Sequence, residues 1–138
     1  MDYDKDNIFA KILRAEIPAY KIYEDDDTFA FLDIMPRADG HLLVIPKTPA
    51  RNLLDASAGQ MAAVMATVQT LSNAAMQAFA ADGITIQQFN EAAGGQEVYH
   101  LHVHVLPRHK GQPLRPPGTM AEADVLSAHM EKLCAALA

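Results

Sequence analysis

His100, His102 and His104 alternate with Leu101, Val103 and Val105 in the run His100-Leu101-His102-Val103-His104-Val105-Leu106. In a strand, the side-chain period of two sets the imidazoles on one face and the aliphatic residues on the other. Half of the six histidines lie here. An imidazole with a pKa near about 6.5 serves at neutral pH as nucleophile, base or metal ligand. Strand geometry bears on the choice. At about 3.3 Å per residue His100 and His104 stand roughly 13 Å apart along a straight strand, whereas zinc needs each nitrogen within about 2.1 Å. One ion held by the whole row therefore needs a sharp bend. Two neighbours with a distant third ligand do not, and a purely structural role also stays open. A central nucleophilic imidazole, flanked by two that orient it and hold an anion, fits the unbent strand.

Periodicity places the elements that must carry this row. Ile8, Phe9, Ile12 and Leu13 recur at helical spacing before Pro18, which predicts a short helix over about 7–15. Thr28-Phe29-Ala30-Phe31-Leu32-Asp33 is apolar on both sides and predicts a buried strand. Residues 36–40 form a loop, and His41-Leu42-Leu43-Val44-Ile45 is a second apolar strand closed by Pro46. Ser57 and Gln60 form a capping box for a long helix with the stripe Met61, Val64, Met65, Val68, Leu71, Ala75 and Phe79. Gly83 is placed to end it in a left-handed cap. Ile84 to Phe89 and the histidine run, about 98–106, predict an antiparallel hairpin joined by a short connection over 91–95. Residues 107–118 read as a loop. Thr119 and Glu122 form a second capping box before a C-terminal helix, about 119–137, carrying Leu126, Met130, Leu133 and Leu137. The expected fold is α+β, with a mostly antiparallel sheet, in one domain spanning 1–138.

Composition narrows the function classes. The chain has 138 residues, half of them apolar, and a formal net charge of −6. That balance speaks against a nucleic-acid backbone as main partner, while a locally positive site for a small anion remains possible. The single cysteine, Cys134, forms no internal disulfide and is expected to be a packed thiol on the last helix. No apolar stretch is long enough to span a bilayer, and the acidic N-terminal segment lacks a hydrophobic signal; the expectation is a cytoplasmic protein without a membrane partner.

The histidine run, read as His-φ-His-φ-His-φ-φ with φ apolar, resembles the signature of the histidine triad (HIT) family. Further blocks follow in family order: Ile8-Phe9-Ala10-Lys11-Ile12, Glu16-Ile17-Pro18-Ala19, Phe31-Leu32-Asp33-Ile34, Gly40-His41-Leu42-Leu43-Val44-Ile45-Pro46-Lys47 and Gly94-Gly95-Gln96. The likeness covers about 7–110. It implies nucleotidyl transfer: His102 attacks the α-phosphorus of a nucleotide, and water hydrolyses the nucleotidyl-histidine. A nitrogen nucleophile needs no metal for that first step, while magnesium can accompany a polyphosphate substrate. By the same resemblance His104, Asn90 and the backbone near Gln96 contact phosphate, His100 and His41 support the triad, and Asp33 accepts from the ribose hydroxyls. Ile8, Phe9, Ile12, Phe31 and Ile34 line a purine pocket. Nucleoside phosphoramidates and adenylated compounds are the implied substrates. Asymmetric cleavage of dinucleoside polyphosphates, nucleotide binding with little turnover, and metal-dependent hydrolysis by two of the triad are the alternatives. A homodimer with side-by-side sheets is also implied. Two departures stand out. Some bacterial members hold a structural zinc with a Cys-x-x-Cys pair in the first block and a histidine after the Lys47-Thr48 position; here those places are Asn7, Ala10 and Pro49, which argues against that site. Glu97 stands where relatives often carry serine or threonine near the scissile bond, and a carboxylate there alters the choice of leaving group.

Overall fold

The computed structural model describes residues 2–138. The elements run α1 (Ile8–Leu13), β1 (Lys21–Glu24), β2 (Thr28–Leu32), β3 (Leu42–Pro46), α2 (Ala58–Ala78), β4 (Gly83–Gln87), a 3-10 turn (Ala92–Gly94), β5 (Val103–Arg108) and α3 (Ala123–Leu137). The strands form one antiparallel sheet in the order β1-β2-β3-β5-β4. This is the α+β architecture the periodicity implies.

Burial on both sides explains why β2 and β3 are apolar throughout. One face, carrying Ala30, Leu32, Leu42, Val44, Val103 and Val105, packs on Val64, Val68 and Leu71 of α2 and on Leu126 and Leu133 of α3. The opposite face, carrying Phe29, Phe31, Leu43 and Ile45, packs on Phe9 and Ile12 of α1. β3 and β5 side chains of odd and even parity thus divide between a thick helical layer and a thin aromatic one. His41, His102 and His104 share parity with the thin side, so the fold leaves the triad under one short helix instead of two long ones.

Capping chemistry works at α2 and fails at α3. Ser57 and Gln60 make both halves of the capping box. At α3, Glu122 is the N-cap residue and makes no side-chain cap bond, so the Thr119–Glu122 box does not form. Gly83 does not cap α2 either. Phe79 is the C-cap, Ala80 takes the positive φ of 47°, and Gly83 opens β4. Met65 lies exposed off the α2 stripe, and Thr67 is buried in its place, with its Oγ1 2.8 Å from Thr28 Oγ1. Cys134 is exposed, not packed. Gly40, with φ +82°, is required where it stands, because a Cβ there would run into the Phe79 ring.

Two differences concern the histidine run. The ladder begins only at Val103, which faces Val44, so His100 and His102 precede the strand. The chain bends there: the Leu101 amide donates to Ala50 in a loop, and the His100 ring takes the Pro46 carbonyl at the end of β3. At the other end, Pro107 and Arg108 extend β5 beyond the expected loop boundary. Pro107 is tolerated because it pairs only with Ile84 on the β4 side, past the β3 ladder. β1, an edge strand, has no counterpart in the sequence reading; its four residues alternate too briefly to register. Among the described residues, no helix is long and apolar enough to cross a membrane.

Candidate active site

Hydrogen bonding determines the tautomer of each ring, since a carbonyl only accepts and an amide N–H only donates. His100 Nε2 lies 2.8 Å from the Pro46 carbonyl and must carry the proton. Its Nδ1 is then an acceptor, so the Tyr3 hydroxyl at 2.6 Å donates to it. His102 Nδ1 lies 2.6 Å from the His100 carbonyl and carries the proton, leaving the Nε2 lone pair uncommitted. On the other side, the Arg37 amide donates to His41 Nδ1 at 3.1 Å, and His41 Nε2–H donates to His104 Nδ1 at 2.9 Å. His104 therefore presents Nε2–H. The arrangement holds one ring with a bare nitrogen beside one with a free donor, their centroids 5.1 Å apart.

Burial keeps these rings neutral. It holds His41 and His100 down at about 4, with the Arg37 and Arg115 charges adding to the effect at His41. Burial, then neighbouring His102 and His41, puts His104 at about 3, and burial lowers His102 as well. Burial also raises Asp33, aided by the charge of Glu97. An unfolded imidazole titrates near about 6.5, so between that value and about 4 the unfolded chain holds more protons than the folded one. Stability is therefore expected to be full above about pH 6.5. It falls as pH drops toward 4, by on the order of 1 kcal/mol per unit for each ring that stays neutral. Asp33, which protonates earlier when folded, opposes this in the acid range. Urea midpoints measured from pH 7.5 to 4.5 check it; a flat profile contradicts the assigned burial.

The aromatic layer reaches His102. The Phe9 ring meets His102 edge-on at 4.9 Å and Phe31 at 5.3 Å, and Ile12 packs on the same cluster. Phe9 and Phe31 are buried, whereas Ile8 and Ile34 expose apolar surface to solvent. Asp33 accepts the Met35 amide at Oδ1 and sits 3.6 Å from His41 Nε2 through Oδ2. His102 itself is 8 % exposed.

The loop from Asn90 to Glu97 is held by polar groups distant in sequence. Gln96 Nε2 donates to the Arg51 and Val98 carbonyls, and its Oε1 accepts from Asn52 Nδ2 and the Glu91 amide. The Gln96 amide donates to the Glu91 carbonyl. The Gln96 side chain is thus spent inside the protein, where it fixes the backbone expected to contact phosphate. Asn90 Oδ1 accepts from Leu53 and Gln88, and one N–H of Nδ2 donates to Gln88 Oε1. Arg51 clasps Glu91 with two bonds, 2.7 and 2.9 Å, and lies over the Tyr99 ring at 4.3 Å. Gly95, at φ +98°, packs under Phe89, whose ring faces His104. Glu97 is exposed. Tyr3, Arg37, Arg51, Asn52 and Glu91 escaped the sequence reading because none belongs to a periodic or spaced pattern. His41 and His100, expected as supports of the triad, each hold a different ring: His41 bonds His104, and the His100 carbonyl bonds His102.

Among the described residues, Asp33, His41 and His104 offer ligand atoms within 4.8 Å of one another. The donor set does not suit a metal. His41 Nδ1 already accepts the Arg37 amide, so its Nε2 carries a proton where a metal needs a lone pair. Asn7, at the first of the positions compared with a zinc site above, caps α1, its side chain accepting the Ala10 amide.

The profile of the HIT domain matches residues 14–111. The chain belongs to the HIT domain family. A HIT-like protein involved in cell-cycle regulation from Bartonella henselae, solved with an unknown ligand, superposes with a TM-score of 0.95 at 51 % identity, covering 99 % of this chain and 100 % of that one. An uncharacterised HIT-like protein of Synechococcus elongatus is 45 % identical over 83 % of this chain and 98 % of its own. The purine nucleoside phosphoramidase of Escherichia coli is 39 % identical over 81 % of this chain and 92 % of its own. A HIT-domain protein of this kind is a nucleotide-binding one, and some relatives are hydrolases.

Proposed function

We propose that this HIT-family protein hydrolyses purine nucleoside phosphoramidates and related adenylated compounds at the α-phosphorus, through a nucleotidyl-histidine on His102. The observation that carries this reading is the His102 tautomer: Nδ1–H is committed to the His100 carbonyl, so Nε2 holds the lone pair. In the first step Nε2 bonds to phosphorus and the P–N bond breaks; the amine leaves with that electron pair and takes up a proton. Water then attacks phosphorus, the histidine–phosphorus bond breaks, and a proton is released with the nucleoside monophosphate. His104 Nε2–H and the remaining Asn90 N–H donate to the phosphate oxygens as charge shifts onto them. Asp33 accepts from ribose, and Ile8, Phe9, Ile12, Phe31 and Ile34 pack on the base.

Glu97 favours the phosphoramidate over the polyphosphate. Its charge acts on Asp33 at the site, and it would repel a second phosphate while tolerating an amine leaving group. The reading needs no metal in the first step and reserves magnesium for polyphosphates. It places the protein in the cytoplasm, as a homodimer joined at an open sheet edge such as β4, where Ile86 is exposed. The test is an assay of adenosine 5′-phosphoramidate against diadenosine tetraphosphate, each with and without chelator. The phosphoramidate is expected to show kcat/KM at least about tenfold higher, a difference of about 1.4 kcal/mol, undiminished by chelation. Preference for the polyphosphate, or loss of activity with chelator, overturns it.

A further inference from the structure

We infer that Tyr3 is a positioning residue, whose hydroxyl closes a clamp on His100 and thereby holds the carbonyl that orients the His102 ring. The need for a clamp comes from the fold. His100 and His102 lie before β5, so no sheet ladder holds their backbone. What holds it is the Leu101 amide on Ala50 and the His100 ring, gripped on one side by the Pro46 carbonyl and on the other by Tyr3. His100 is fully buried, so a lost partner at Nδ1 is not replaced by bulk water. The Tyr3 ring also meets the His100 ring edge-on, at 5.7 Å.

The segment bringing Tyr3 across is seated through its main chain. Arg51 Nη1 donates to the Asp2 carbonyl, Asn7 to that of Asp4, and Arg14 to that of Lys5. Arg51 also grips Glu91, so one guanidinium ties the N-terminal segment to the loop beside the site. The hydroxyl thus reaches a histidine 97 residues away, from a segment outside every helix and strand.

The inference rests on His102 as the nucleophile, and the test separates the two. Tyr3→Phe keeps the ring and removes only the hydroxyl. Long-range proton–nitrogen NMR reads the ring tautomers without substrate: wild type is expected to show His102 protonated at Nδ1, and Y3F to show that tautomer mixed with its alternative. With adenosine phosphoramidate, kcat is expected to fall about tenfold with KM nearly unchanged. Wild-type tautomers together with wild-type kcat overturn the clamp, as does a lowered Tm with kcat unchanged, which marks a merely structural bond. A tautomer change in a protein that turns over no substrate supports the clamp and overturns the proposed activity instead.

Discussion

His102→Ala is expected to abolish turnover, lowering kcat by roughly 10⁴-fold or more, and to eliminate a covalent nucleotidyl adduct that wild type forms on brief exposure to adenosine phosphoramidate. Losing a covalent nucleophile has that scale because the remaining groups only bind and polarise the substrate. Intact-mass spectrometry after a rapid acid quench reads the adduct. The geometry makes the result specific to this ring. His100 has both nitrogens engaged, by Pro46 and Tyr3, and His104 has Nδ1 engaged by His41, so neither has an uncommitted lone pair to substitute. His104→Ala is therefore expected to retain the adduct while forming it more slowly. An adduct of undiminished yield in the His102 variant would remove the nucleophile from this position. No adduct in wild type, with nucleotide still bound, would make the protein a binding module.

Gln96→Glu tests the second pillar of the site, and its effect is on stability first. The substitution is nearly isosteric, yet it exchanges a donor for an acceptor facing the Arg51 and Val98 carbonyls, 2.8 and 3.0 Å away, at a side chain almost wholly buried. Two lost donors and a carboxylate set against carbonyl oxygens cost roughly 3 to 5 kcal/mol. Gln96→Ala, which leaves room for water, is expected to cost roughly 1 to 3 kcal/mol. The new carboxyl would be held above its usual range by burial, so the folded variant binds a proton more readily than the unfolded one, and its deficit narrows as pH falls. Denaturant melts at pH 5 and pH 7.5 measure both effects. If Gln96 instead served a ligand directly, Gln96→Ala would raise KM and leave the melt where wild type has it.

The legible part of the site was the part built on local spacing. His100, His102 and His104 stand out because alternation with aliphatic residues survives in the primary structure, and Ser57 with Gln60 because a capping box is four residues long. Where local rules competed with tertiary ones, the tertiary ones won. Thr119 and Glu122 satisfy the same pattern as Ser57 and Gln60 but form no cap. Alternation likewise extends the histidine strand to residue 98, yet the His100 ring occupies the carbonyl at the end of β3 and turns the chain out of the ladder. Gln96 matches a family block, but the four side-chain bonds by which it holds the loop join groups up to 45 residues apart and leave no local pattern.

By itself the sequence determined the class of fold, the apolar strands, the long capped helix and the row of imidazoles, because hydrophobic period and residue spacing are local properties of a chain. Only the tertiary structure decided which nitrogen of each ring is bare, that His41 serves His104, and that Tyr3, Arg51 and Asn52 hold the site together. Those facts depend on carbonyls and amides brought together across tens of residues, and a proton's place on an imidazole is set by the group opposite it in space.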